Sequence, residues 1–147
     1  MSRVRVAGEG DIDRILEIEA ESISPPWTHG ALLGEIYRED SFFAVAPCAD
    51  SSNGAIEGFV ILRLMADEGE LLQIAVCTSS RRCGVAHALM GAALGFAHER
   101  ALKSVHLEVR NSNEAAILLY KKHGFKPVRL RKDYYTTPTE DALVMRL

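Results

Sequence analysis

Glu70-Leu71-Leu72-Gln73-Ile74-Ala75-Val76 leads through Cys77-Thr78-Ser79-Ser80 into Arg81-Arg82-Cys83-Gly84-Val85-Ala86-His87. An apolar strand thus empties into a short basic loop that contains glycine and opens a helix. Backbone N–H groups at a helix start lack intrahelical partners and carry the positive end of the macrodipole, so an anion placed there gains several hydrogen bonds at once. Gly84 and Ala86 keep side-chain bulk away, and Arg81 and Arg82 add charge. The pattern reads as a phosphate cradle at a strand-to-helix junction. No Gly-Lys-Ser/Thr follows, so it is not a nucleoside-triphosphate P-loop. Taken alone, the loop fits an ordinary turn with two surface arginines equally well.

The elements on either side extend this α/β reading. Downstream, Val85, Leu89, Met90, Ala93, Leu94 and Ala97 share one face of a helix expected over residues 84–100. Residues 104–109 form the next strand, with Val105, Leu107 and Val109 on one face and His106 and Glu108 on the other. Asn111-Ser112-Asn113 supplies caps for a helix carrying Ala116, Ile117, Leu119 and Tyr120, which ends at Lys121-Lys122-His123-Gly124. Residues 126–130 and 142–147 read as two strands around a loop over 133–141. Upstream, residues 3–6 form a short strand. Asp11 caps a helix through Ile12, Ile15, Leu16 and Ile18, and Ser24-Pro25-Pro26-Trp27 breaks it. Thr28 caps a second helix that ends near residues 39–40. Strands over 42–46 and 56–64 form a hairpin about the turn at 50–54. The order β-α-α-β-β-β-α-β-α-β-β predicts helices flanking a central mixed, mostly antiparallel sheet.

A chain of 147 residues suits one domain over 1–147, and a chain of that size buries roughly 70% of its unfolded surface. A hydrophobic content of 48% beside 25% charged residues is that of a soluble globular protein. The apolar runs fall short of a membrane span and the start of the chain lacks a signal core, so a cytoplasmic protein is expected. A net charge of -3 argues against a general nucleic-acid binder, leaving only local patches such as residues 129–132. Cys48, Cys77 and Cys83 and the five histidines show no zinc spacing, so no metal site is expected.

Several motifs in one order carry a resemblance. Leu71-Leu72-Gln73-Ile74-Ala75-Val76, Arg81-x-x-Gly84-x-Ala86, Leu107-Glu108-Val109-Arg110-Asn111-Ser112-Asn113 and Leu119-Tyr120-x-x-x-Gly124-Phe125 resemble the GNAT acetyltransferase superfamily. Pro26-Trp27, Asp133-Tyr134-Tyr135 and Glu140-Asp141-Ala142 make the chain similar, within it, to the RimI-type ribosomal-protein-alanine N-acetyltransferases. The resemblance implies the GNAT fold and acetyl-CoA as donor. Its pyrophosphate would rest on the backbone of Arg82, Cys83, Gly84, Val85, Ala86 and His87, and its pantetheine along Ile74, Ala75 and Val76, with Asn113 assisting. Glu108 corresponds to the general base and Tyr120 to the general acid. The acceptor implied is a protein N-terminus, that of a small-subunit ribosomal protein, with neither nucleic acid nor membrane as a direct partner.

Chemistry agrees with these roles. The attacking amine must be neutral, so a carboxylate that takes its proton directly or through water speeds the step, and partial burial of Glu108 on its strand would strengthen it as a base. A phenol at Tyr120 could protonate the departing thiolate. The N–H of Val76 could polarise the thioester carbonyl if the strand splays or bulges there, a step that rests on the family likeness. Without the resemblance, Glu108 reads as a solvated glutamate and Tyr120 as a core tyrosine. Trp27, Tyr134 and Tyr135 are candidates for walling the peptide entrance. Arg81, Ala86 and Cys77-Thr78 depart from the common family pattern, which bears on affinity more than on activity. Cys83, at a helix start beside arginines, is expected to be a reactive thiol. A broader acetyltransferase that also takes lysine side chains or other protein N-termini, and a non-catalytic acetyl-CoA-binding module, remain open readings at this point.

Overall fold

The computed structural model describes residues 4–23, 25–48, 55–81 and 83–147. The strands and helices follow the expected order: β1 (Arg5–Val6), α1 (Ile12–Ser22), α2 (His29–Ile36), β2 (Ser41–Pro47), β3 (Ile56–Met65), β4 (Glu68–Val76), α3 (Val85–Glu99), β5 (Ser104–Arg110), α4 (Glu114–Lys122), β6 (Lys126–Thr136) and β7 (Thr139–Arg146). Two 3-10 turns, Glu9–Asp11 and Thr78–Ser80, were not foreseen. The strands form one sheet in the order β1-β2-β3-β4-β5-β7-β6. Every described pairing is antiparallel except β4 with β5.

Alternation along β3 shows why both faces are covered. Val60 and Leu62 point into one core with Leu89, Met90 and Tyr120 of α3 and α4, while Phe59 and Ile61 point into another with Ile12, Ile15, Ile18 and Leu32 of α1 and α2. α3 lies close on the sheet at Gly58, where an added Cβ would stand 2.9 Å from both the Ala75 carbonyl oxygen and Leu89. Only a residue without a side chain allows that approach.

In β4 the register with β3 shifts between Ile61 and Leu62, which face Gln73 and Leu71, so Leu72 is an extra residue in a bulge. The bulge reverses the phase of the strand. Leu71 belongs to the α3 core, Leu72 packs on the α1 side, and beyond the bulge Ile74 and Val76 are on the α3 side again with Ala75 opposite.

Some local expectations need correction. Asp11 does not cap α1 with its side chain. It has helical dihedrals itself, and its carboxylate accepts from Arg5 at 2.9 Å and from the Gly8 N–H at 2.8 Å. Thr28 does cap α2, accepting from the Ala31 N–H at 3.1 Å, but the helix ends at Ile36. The loop expected over 133–141 is mostly strand, because β6 runs on to Thr136 and β7 starts at Thr139. β6 is a solvent-exposed edge, so hydrophobic alternation had nothing there to mark. Arg3 of the first strand, Ser24 and the hairpin turn at 50–54 lie outside the described residues.

Candidate active site

β4 and β5 pair only from Glu68↔Ser104 to Leu71↔Leu107, although β4 continues to Val76 and β5 to Arg110. Their C-terminal halves therefore diverge, and the divergence starts at the bulge. Cys77 donates its N–H to the Glu57 carbonyl at 2.8 Å. By the alternation of an antiparallel ladder, the N–H and C=O of Val76 and Ile74 then point away from β3, toward the gap beside β5. Arg81 Nε reaches the Val76 carbonyl there at 3.4 Å.

A cleft of about 520 Å³ opens at this edge and brings together Ile74, Ala75, Val76, Gly84, Val85, Ala86, His87, Asn113 and Tyr120. Gly84 precedes α3 with φ +80° and no side-chain cap, which leaves the first amides of α3 free of a competing acceptor. Space around the position of its missing Cβ is open to 4 Å. Strand edge, bare helix start and added arginine make a donor set that fits the pantetheine and pyrophosphate of acetyl-CoA. His87 Nδ1 lies 3.0 Å from His123 Nε2, and burial, followed by the charge of His87, lowers the His123 pKa. Asn113 caps α4, its Oδ1 accepting from the Ala116 N–H at 3.2 Å. Cys83 is exposed, with its Sγ 3.6 Å from the Arg81 carbonyl, and is not part of the cleft lining. Arg82 lies outside the described residues.

Tyr120 is buried on α4 and lines the cleft. Desolvation holds its phenol well above its ordinary value of 10. Among the described residues its hydroxyl has no hydrogen-bond partner, and its ring sits 6.0 Å from that of Phe125.

Glu108 stands on the other strand of the fork, on the face opposite Leu107, with a side chain 16% exposed. Arg131 of β6 donates to its Oε2 at 2.7 Å. The Arg131 guanidinium also lies 4.4 Å over the Tyr134 ring, and that of Arg110 lies 4.4 Å over the Tyr135 ring. Burial and then the charge of Glu108 raise Tyr134, whose hydroxyl faces that carboxylate. The same two causes push Tyr135 up to about 12. Tyr135 acts electrostatically on Tyr120 as well. Arg110 fixes this wall by donating to the Pro138 and Thr137 carbonyls at 2.9 and 3.0 Å, while Glu140 accepts from the Ser112 N–H at 2.7 Å.

The structure thus gathers Tyr134 and Tyr135 around Glu108, while Trp27 lines a second cavity of about 510 Å³ together with Glu35, Arg38 and Arg63. Arg131 is the residue that sequence reasoning missed: it appeared only as part of a basic stretch, and nothing local tied it to Glu108, 23 positions earlier. Ser22 at the end of α1 and Ser80 also line the 520 Å³ cleft without having been foreseen.

Residues 12–125 match the model of the acetyltransferase (GNAT) family. The chain is 35% identical over 141 residues to the ribosomal protein bS18-alanine N-acetyltransferase of Haemophilus influenzae, covering 92% of this chain and 90% of that protein. It is 33% identical over 136 residues to the putative enzyme of the same description from Bacillus subtilis, covering 92% and 87%. The fold is similar to the crystal structure of the ribosomal-protein-S18-alanine N-acetyltransferase from Escherichia coli, with a TM-score of 0.87 and 30% identity over 100% of this chain and 93% of that one.

Proposed function

The chain belongs to the GNAT acetyltransferase family, and from that premise we propose that it carries an acetyl group from acetyl-CoA to the α-amine of an N-terminal alanine, the acceptor being ribosomal protein bS18 or its counterpart. The observation that carries this reading is the fork between β4 and β5: one prong offers a hydrogen-bonding edge beside a helix start, and the other holds Glu108. Acetyl-CoA supplies the activated acyl group. Ile74 and Val76 align it along the strand edge, and the amides at the start of α3 bind its pyrophosphate. The Val76 N–H donates to the carbonyl oxygen that gains charge.

Glu108 takes the proton of the acceptor amine, with Arg131 orienting the carboxylate. Tyr120, kept protonated by burial, donates to the departing sulfur. At pH 7 an α-amine is neutral to roughly 14% and a lysine to roughly 0.04%, so a single glutamate is better matched to an N-terminus. Tyr134 and Tyr135 wall the acceptor side, and Trp27 closes it from the α1–α2 loop. The reaction uses no metal and takes place in the cytoplasm. Among the described residues no helix is long and apolar enough to cross a membrane.

Purified protein incubated with acetyl-CoA and two peptides, one with a free N-terminal alanine and one N-blocked with an internal lysine, tests the reading by mass spectrometry. Acetylation of the first alone is expected. Modification of the lysine peptide demands the broader acetyltransferase, and binding of acetyl-CoA with no product demands the non-catalytic module.

A further inference from the structure

Glu19, on the inward face of α1, has no exposed surface, and neither of its carboxyl oxygens meets hydrogen-bond geometry with a described residue. A buried carboxylate without partners is costly, so a group in this position needs an explanation. Two polar groups stand beside it, the side-chain amide of Gln73 and the backbone N–H of Trp27. Gln73 is itself buried, and its Oε1 is likewise without a partner. It follows the extra residue of the β4 bulge, which turns it toward α1.

The charged neighbours on the surrounding elements are engaged elsewhere. Arg63 of β3 pairs with Glu35 of α2, and Arg14 of α1 holds Glu17 and the Ile56 carbonyl. Just past β4 the Cys77 thiol meets Ser79 and Ser80, and on β4 Glu70 faces Tyr134. Among the described residues no cation pairs with Glu19. Desolvation accordingly raises its pKa. A neutral carboxyl satisfies all three groups: its carbonyl oxygen accepts from the Trp27 N–H, and its O–H donates to Gln73 Oε1 once the amide turns about its last torsion.

We propose that Glu19 is a positioning residue that ties the Trp27 loop to the bulge of β4. It thereby sets the distance between the wall that receives the acceptor and the strand edge that presents the donor. This rests on the acetyl-transfer reading above. Steady-state kinetics with an N-terminal alanine peptide and acetyl-CoA test it on Glu19→Leu, which keeps volume without hydrogen bonds, and on Glu19→Gln, which keeps one acceptor and one donor. Glu19→Leu is expected to raise the acceptor KM about tenfold, the worth of one or two hydrogen bonds, with the acetyl-CoA KM and kcat close to wild type. Glu19→Gln is expected to restore the acceptor KM. An unchanged acceptor KM in Glu19→Leu, or a Glu19→Gln as impaired as Glu19→Leu, overturns the proposal.

Thermal melting judges the clamp independently of turnover. A carboxyl whose folded pKa is raised stabilises least at high pH, so wild type should melt progressively lower than Glu19→Gln as pH rises above the ordinary value of 4.5. Parallel melting profiles refute the neutral clamp. A wild type that acetylates no peptide refutes the acetyl-transfer reading while leaving the melting result to stand by itself.

Discussion

Among the described residues Glu108 has one charged partner, Arg131, and is faced by a tyrosine hydroxyl, so its carboxylate is oriented before any acceptor arrives. Glu108→Gln keeps the shape and removes the base. It should lower kcat by about 10²- to 10⁴-fold while acetyl-CoA affinity, measured by calorimetry, stays at the wild-type value. An equal loss of donor binding would assign Glu108 to the cleft wall instead. His123 gives a pH dependence of a different origin. Its folded pKa lies below the ordinary 6.5, so the stability it contributes is present above that value and drains away as pH falls through the folded pKa. The melting temperature of the ligand-free protein should fall below about pH 6.5, and His123→Asn should flatten that limb. Glu108 and Tyr120 were singled out by the family resemblance, because strand alternation and helical spacing alone left them as a solvated glutamate and a core tyrosine. Arg131 was not, since its role exists only once β6 is laid beside β7 and β7 beside β5.

At the scale of elements, the junction from β4 to α3 was the most readable part of the chain, because an apolar run, a glycine and a helical stripe occur in one continuous segment. The bulge at Leu72 was hidden: Leu71-Leu72 reads as an unbroken strand, and only pairing with β3 shows the extra residue. The β6–β7 hairpin was underestimated for a related reason, since an exposed strand carries no burial pattern. Gly58 is where α3 and the sheet come closest, and its burden is testable. Gly58→Ala must displace the Ala75 carbonyl or Leu89, so α3 and the β4 edge shift together. We expect a cost of about 1–3 kcal/mol in urea denaturation, and weaker acetyl-CoA binding beyond what the stability loss alone predicts. Unchanged affinity in the folded variant would show that the cleft tolerates a moved α3.

Across the whole molecule, the two cores on opposite faces of the sheet divide the labour. α3 and α4 bury against the face that supports the donor cleft, and α1 and α2 bury against the face from which the Trp27 loop extends. The order of elements foretold this layering, whereas the site itself depends on how far two neighbouring strands stay paired, a property no single segment carries. Parallel pairing stops at Leu71 and Leu107, and the amides of Ile74 and Val76 beyond that point face the gap. A donor molecule lying there acts as a temporary rung of the sheet, and folding becomes coupled to the supply of that molecule. At a hundredfold excess over its Kd, a ligand bound only to the native state adds about 2.7 kcal/mol. Hydrogen exchange should therefore slow at Ile74 and Val76, and along α3 behind them, when acetyl-CoA is added. Exchange at those two amides that ignores saturating donor would rule this out. Withdrawal of acetyl-CoA would thus remove part of what keeps this chain folded.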